Sequence, residues 1–144
     1  MLLPHSVTLW NRAGGEIVSK GAKIREYNKV YIKYVRIDNN VQGQGGAPSG
    51  SFYVEIYNGV SVTHNLGAYV EPGVYAELTR FEKLGKWTLN PGSDYIGFGL
   101  IGAEFPSPAI NDGDNPARKD YLVHTVDAKY GADGEIHHWE VYCK

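Results

Sequence analysis

The chain is poor in cysteine, in basic charge and in long apolar runs, and each shortage excludes a class of protein. Cys143 is the one cysteine among 144 residues, so no internal disulfide can form. Lys and Arg number 14 against 16 Asp and Glu, and the formal net charge is −2. We therefore expect no nucleic-acid partner, because binding DNA needs a concentrated positive surface. We also expect no membrane span, because no apolar run approaches about 20 residues.

The beginning of the sequence also lacks the marks of an exported protein. Its first ten residues, MLLPHSVTLW, have neither the basic start nor the apolar core of a secretory signal. We expect a soluble protein made in the cytoplasm without a signal peptide. It would leave the cell only by release or by assembly into a particle. The length is typical of one domain, and no linker or repeat divides residues 1–144, so we expect a single domain.

Short alternating strands dominate what the sequence does contain. No segment sustains a 3.6-residue period, and the best helical candidate, 74–84, fits a period of two as well. Eighteen glycines and seven prolines separate the runs. We predict an all-β fold, an antiparallel jelly-roll-like β-sandwich of about 8–10 strands. The predicted strands are 7–11, 16–19, 29–38, 51–57, 60–64, 74–80, 86–89, 95–101, 121–130 and 135–142.

The inward-facing residues of these strands define the expected core. They are Trp10, Val30, Ile32, Val54, Ile56, Leu78, Ile96, Phe98, Leu100, Val123 and Val141. Asn58-Gly59 and Asp133-Gly134 are typical two-residue hairpin turns, because both central positions of such a turn favour a positive φ. We therefore expect two hairpins, one over 51–64 and one joining the last two strands.

The first hairpin leaves two registers open. One face of 51–57 carries Phe52, Val54 and Ile56, and the other carries Tyr53, Glu55 and Tyr57. A strict two-residue turn would place the valines of 60–64 on the tyrosine face, so both faces would need cover. A one-residue bulge at Gly59-Val60 would instead bury Val62 beside Ile56. We favour the bulge, which leaves the tyrosine face toward water.

That tyrosine face suggests a lectin-like, carbohydrate-binding module rather than an enzyme. Tyr53 and Tyr57 could stack on the apolar face of a sugar, while Glu55 accepts hydrogen bonds from its hydroxyls. An ordinary solvated sheet face explains the same residues. The neighbouring loop, 39–50, supplies further polar candidates, which are Asn39, Asn40, Gln42 and Gln44. The expected partner is a glycan or a cell-surface receptor.

An acidic loop, 110–120, is a candidate calcium site. Asp112, Asp114 and Asp120 bring hard oxygen ligands together, which is the chemistry that Ca²⁺ prefers. The spacing is not that of an EF-hand, and tight surface loops favour the same residues. We otherwise expect no cofactor.

Catalysis is the least supported class. The sequence holds no nucleophile motif and no phosphate loop. A small hydrolase would need two carboxylates facing each other, and Glu55 and Glu77 are the pair that neighbouring strands could provide.

Residues 62–67, Val-Thr-His-Asn-Leu-Gly, resemble a turn found in strands of phage tail-fibre and tail-tip proteins. The resemblance covers six residues. It implies a trimeric or particle-bound receptor-binding domain, so the alternative function is a structural or receptor-binding subunit of a phage-tail-like or toxin assembly. The 51–64 hairpin would then be an interface in a homo-oligomer.

Overall fold

The structure is a computed structural model that describes residues 3–19, 22–38, 52–64, 67–105, 107–110 and 118–144. These ranges contain nine strands and two short helices. In chain order they are β1 (His5–Ser19), β2 (Ala22–Asp38), β3 (Phe52–Tyr57), β4 (Val62–Thr63), β5 (Ala68–Tyr69), α1 (Pro72–Glu77), α2 (Arg80–Lys83), β6 (Lys86–Trp87), β7 (Tyr95–Phe98), β8 (Tyr121–Tyr130) and β9 (Ile136–Cys143). The predicted all-β fold is confirmed. Neither α1 nor α2 has the length needed to cross a bilayer.

Antiparallel pairing runs without a break round six strands. β1 pairs with β2, β2 with β3, and β3 with β9. β9 pairs with β8, β8 with β7, and β7 returns to β1. All six strands contribute to one hydrophobic cluster, so the ring encloses the core. The finer expectation of a jelly-roll sandwich stays a prediction.

Most of the predicted core residues are buried, although Trp10 is not part of the cluster inside the ring. Eight of the eleven predicted residues are buried, and the exceptions are Leu78, Phe98 and Leu100. Phe98 is the last residue of β7 and packs only partly, against Phe52 at 4.7 Å between ring centroids. Leu100 is exposed because β7 has already ended and Gly99, with a φ of 74°, reverses the chain before it. The alternation of inward and outward residues stops with the strand.

The predicted strand over 74–80 is wrong, because this segment forms α1 and the start of α2. Pro72 lies in the first turn of α1, where its fixed φ suits a helix and its missing N–H is not needed. Thr79 and Glu82 form a capping box at α2, each side chain bonding to the backbone N–H of the other. Both signals are readable in the sequence, but the alternating valine, tyrosine and leucine residues obscured them.

The predicted hairpin over 51–64 is also wrong, and the favoured bulge with it. Both edges of β3 are taken by β2 and β9, so β4 cannot pair with β3. β4 pairs with β2 instead, through Ile32 and Lys33. The chain still turns at Asn58-Gly59, where the Val60 and Ser61 N–H groups donate to the Tyr57 carbonyl at 3.2 and 2.8 Å.

β2 bends at Tyr34, between the part that pairs with β4 and the part that pairs with β3. Tyr34 has a φ of 65°, a left-handed conformation that is rare for a residue with a large side chain. Its carbonyl accepts a hydrogen bond from Ser61 Oγ at 2.6 Å, and Ser61 Oγ also accepts from the Tyr57 N–H. The bend therefore fixes the turn after β3 against β2, and this turn forms one wall of the cavity described below.

Candidate functional site

The predicted tyrosine face lies on the outer side of the ring. Phe52, Val54 and Ile56 point into the core, so Tyr53, Glu55 and Tyr57 point away from it, as the alternation predicts. They are nevertheless well covered. Glu55 is 8% exposed and Tyr57 is 7% exposed, because side chains on the neighbouring strands of the same face pack over them.

Glu55 is the centre of a hydrogen-bonded group on this face. Its carboxylate accepts from Arg36 Nη1 at 2.7 Å and from the Tyr57 hydroxyl, and Tyr53 is a further donor. Burial alone would raise the pKa of Glu55, but these three donors outweigh it and lower the pKa. Burial, together with the hydrogen bond to Glu55, raises the pKa of Tyr57 to about 12. Glu55 is therefore ionised and Tyr57 neutral near pH 7.

The flat faces of both tyrosines already have partners. Tyr57 stacks on His138 at 5.2 Å between ring centroids, and His138 Nε2 lies 2.9 Å from Glu140. Tyr53 packs against Tyr142 at 5.0 Å. A sugar could not lie flat on Tyr57 without displacing His138. The two tyrosines thus belong to a packed polar network, which we call the Glu55 cluster, rather than to an open platform.

The contribution of the Glu55 cluster to the free energy of unfolding should fall as the pH is lowered. Because the folded pKa of Glu55 is lowered, its stabilising contribution is present above about pH 4.5 and is lost as the pH falls through the folded pKa. We expect Glu55→Gln to lower the free energy of unfolding by about 1 kcal/mol at pH 7, and by less at pH 3. Urea titrations at both pH values measure this. Asp127→Asn, which changes an exposed carboxylate on β8, is the control and should alter the free energy of unfolding by less than about 0.5 kcal/mol. An equal loss from Glu55→Gln at both pH values would contradict the lowered pKa of Glu55.

Most of the other predicted site residues lie outside the described part of the chain. This holds for Asn39, Asn40, Gln42, Gln44, Asp112 and Asp114. Asp120 is described and buried, with its Oδ2 accepting from Arg118 at 2.5 Å and from the Ala109 N–H at 2.9 Å. Within the described ranges, no three His, Cys, Asp or Glu side chains are grouped to hold a metal.

The carboxylate pair considered for a hydrolase is not formed. Glu77 is the last residue of α1 and not part of a strand. The carboxylate directly across from Glu55 is Glu140 on β9. The expectation that Glu55 and Glu77 face each other from neighbouring strands is therefore wrong.

A concave site lies at one end of the ring, next to the Glu55 cluster. We call it the aromatic cavity; its volume is about 420 Å³. Three mutually packed rings form one wall, with centroid distances of 4.6 Å from Tyr69 to Trp139, 5.0 Å from Tyr69 to Trp87, and 5.1 Å from Trp87 to Trp139. The rest of the lining is Ile32, Ile56, Tyr57, Asn58, Gly59, Ser61, Thr63, Gly67, Ala68, Glu135 and Ile136.

The local fold explains why the three rings meet. β5 and β6 pair in parallel, which sets Tyr69 directly beside Trp87, and the two helices make the crossover that parallel strands need. The Val70 N–H donates to the Trp87 carbonyl at 2.9 Å and locks this register. Trp139 comes from β9, where alternation points it inward together with Val141. Strands distant in sequence thus build a single aromatic wall.

The aromatic wall carries polar atoms as well as apolar surface. Burial, followed by the nearby charge of Glu71, raises the pKa of Tyr69 to about 12, so its hydroxyl is a neutral donor and acceptor. The Trp139 indole N–H is buried and has no well-aligned acceptor within the described part of the chain, although the Tyr69 hydroxyl is near it. A buried donor without an acceptor costs free energy, so a small shift of either ring or a bound acceptor would be favourable.

Asn58 holds the polar rim of the aromatic cavity in place. Its backbone N–H donates to the His137 carbonyl at 3.1 Å, and its side-chain Nδ2 donates to the Ile136 carbonyl at 2.9 Å. Thr63 and Glu135 complete the rim. The turn after β3 is thereby tied to β9, and the rim has a fixed shape before any ligand arrives.

Tyr57 is the one predicted site residue that lines the aromatic cavity. Sequence reasoning missed Tyr69, Trp87 and Trp139, although Trp87 and Trp139 both fell inside predicted strands. All three tryptophans of the chain fall inside predicted strands, so strand position alone did not distinguish Trp87 and Trp139 from Trp10. The chain matches no family model, no curated protein and no solved structure.

Proposed function

We propose that the protein is a non-catalytic recognition module that binds carbohydrate in the aromatic cavity. The observation that carries the proposal is the pairing of an aromatic wall with a polar rim in one concave site. A sugar ring has an apolar C–H face that packs on an accessible aromatic ring, and hydroxyls that need directed hydrogen bonds. In this wall the half-buried Tyr69 is that ring, and the buried Trp87 and Trp139 support it from behind. Asn58, Thr63 and Glu135 supply both acceptors and donors for those hydroxyls.

The size and charge of the cavity support the same ligand class. A volume of about 420 Å³ is within the range of ordinary small-molecule sites. No Lys or Arg, the usual partners of a phosphate or a carboxylate, is among the described residues that line it. An uncharged ligand with one flat apolar face fits a cavity of this volume and has no acidic group that would need a Lys or Arg partner.

The Glu55 cluster supports this site from behind. Tyr57 belongs to both, since it is among the residues that line the aromatic cavity and its hydroxyl donates to Glu55. Its ring stacks on His138, which holds the side chain in place. In this proposal Tyr53 and Glu55 position Tyr57 and do not touch the sugar, which differs from the role that the sequence suggested for them.

The test is binding to a glycan array, followed by titration of the best glycan with tryptophan fluorescence as the signal. Tyr69→Ala should weaken binding at least about tenfold, because it removes one ring of the wall. Tyr121→Ala is the matched control, a half-buried tyrosine that packs on the core outside the cavity. Trp87→Phe, a milder change, serves if Tyr69→Ala does not fold. Binding to no glycan on the array, or equal losses of affinity in the Tyr69 and Tyr121 variants, would overturn the proposal.

A second candidate function is a subunit of a larger assembly, made of copies of this chain. Tyr34, Val60 and Val62 are exposed apolar residues close together at the bend of β2 and the turn before β4. A stable trimer by light scattering, converted to a monomer by Val60→Asp, would support it. A monomer at every concentration would reject it.

A further inference from the structure

A second cavity adjoins the aromatic cavity. We call it the turn cavity, because the connection between β8 and β9 forms it; its volume is about 510 Å³. It is lined by Asn58, Gly131, Ala132, Asp133, Glu135, Ile136 and His137. Asn58, Glu135 and Ile136 line both cavities. The two cavities are therefore adjacent and share these three residues as a common wall.

Backbone hydrogen bonds shape the turn cavity in advance. The Gly131 N–H donates to the Glu135 carbonyl at 2.8 Å, and the Gly134 N–H donates to the Gly131 carbonyl at 3.1 Å. Gly134 has a φ of 83°, which glycine adopts at little cost. Asp133 Oδ1 accepts from the Glu135 N–H at 3.0 Å. With Asn58 bonded to β9 on the opposite side, the walls of both cavities are fixed to the same strand.

The chemistry of the two cavities differs in a way that suits two linked sugars. The aromatic cavity offers a stacking wall, whereas the turn cavity offers two carboxylates, Asp133 and Glu135, and one imidazole, His137. Carboxylates accept strong hydrogen bonds from sugar hydroxyls and repel acidic sugars. No Lys or Arg is among the described residues that line either cavity.

We propose that the aromatic and turn cavities are consecutive subsites for a glycan chain of at least two sugars that carries no acidic group. This inference rests on the proposed function. One sugar stacks on the aromatic wall, the next is held by hydrogen bonds to Asp133 and His137, and Asn58 and Glu135 lie at the linkage between them. A single sugar fills only the first subsite.

The probe is a set of mono-, di- and trisaccharides of glucose, galactose, mannose and N-acetylglucosamine, with sialylated and glucuronate-bearing counterparts. We expect the disaccharide of the preferred sugar to bind at least about tenfold more tightly than the monosaccharide. The acidic counterparts should bind at least about tenfold more weakly than the neutral ones.

One variant isolates the turn cavity. Asp133→Asn keeps the oxygen that accepts from the Glu135 N–H. It should weaken disaccharide binding about threefold to tenfold and leave monosaccharide binding unchanged. Asp127→Asn, on β8 outside both cavities, is the control and should leave both affinities unchanged.

The outcomes separate this inference from the function on which it rests. If a monosaccharide binds as tightly as the disaccharide, and Tyr69→Ala still abolishes both, the two-subsite inference is overturned and the aromatic site stands. Equal binding of acidic and neutral disaccharides would overturn the charge preference. If no saccharide binds at all, the proposed function itself fails.

Discussion

Replacing Asp94 by alanine is expected to lower the free energy of unfolding by about 4 kcal/mol. Asp94 is 1% exposed, and its carboxylate accepts three hydrogen bonds, from Asn11 Nδ2, the Arg12 N–H and the Asn90 N–H, each at 2.9 Å. Alanine would leave three donors without their acceptor in a place that water does not reach. Each such orphaned donor costs about 1–3 kcal/mol, and partial relaxation keeps the total near 4.

The position of Asp94 explains why the loss should be global. Asn11 also exchanges two hydrogen bonds with Thr88, its Nδ2 donating at 2.7 Å and its Oδ1 accepting from the Thr88 N–H at 3.1 Å. The Asp94 carbonyl accepts from the Val123 N–H at 2.8 Å. The Asp94 side chain thus ties β1 to the segment after β6, while the main-chain bond to β8 is kept in the alanine variant. The measurement is urea unfolding, with Asp127→Ala as an exposed control; a loss under about 1 kcal/mol would contradict this account.

The loss of stability in Asp94→Ala should also depend on pH. Burial raises the pKa of Asp94 to about 6, although its three hydrogen bonds act in the opposite direction. Since the folded pKa lies above the unfolded value of 3.8, the contribution is fully present below that value and is lost as the pH rises through about 6. The difference in unfolding free energy between the unmodified protein and Asp94→Ala should therefore narrow from pH 4 to pH 7. A difference that widens over this range would contradict the buried-acid assignment.

The sequence predicts strands well where local pattern decides them. β8 is predicted at 121–130 and forms over Tyr121–Tyr130, and every described residue of the range predicted for β3 is in that strand. Alternation between turns is a local signal. β3 obeys it throughout, whereas in β8 a bulge between Val123 and Thr125 shifts the inward positions by one residue. The 74–80 segment shows the limit, because its alternating residues also fit a helix that a proline and a capping box begin.

Pairing between distant strands is what the sequence could not supply. The turn at Asn58-Gly59 was recognised, but a turn is compatible with a hairpin and with a strand that leaves for another partner. Only the placement of β9 along β3 decides between them, and the paired residues of these strands lie 81 to 91 positions apart, from Tyr57 with His138 to Phe52 with Cys143. The aromatic cavity also depends on pairing between strands distant in sequence. Tyr69, Trp87 and Trp139 come together only once the ring has closed, so the sequence did not predict it.

Trp139→Ala is the second change with a large expected effect, and it tests the aromatic wall directly. The side chain is 2% exposed and packs on Tyr69 and Trp87. We expect the free energy of unfolding to fall by about 3–5 kcal/mol, the usual cost of replacing a buried tryptophan with alanine. Trp139→Phe keeps a ring in place and should cost less than half as much. Urea or thermal unfolding of both variants measures the difference.

Added indole provides a further check on Trp139→Ala. The missing side chain leaves a space bounded by aromatic rings, and a ligand that binds only the folded form raises its stability. Indole should therefore raise the melting temperature of Trp139→Ala by several degrees, and that of Trp139→Phe by much less. A small loss of stability, or no response to indole, would mean that the three rings do not form a fixed wall. In that case the aromatic cavity would not be ready-made for a sugar, and the energy of shaping it would have to come from the ligand.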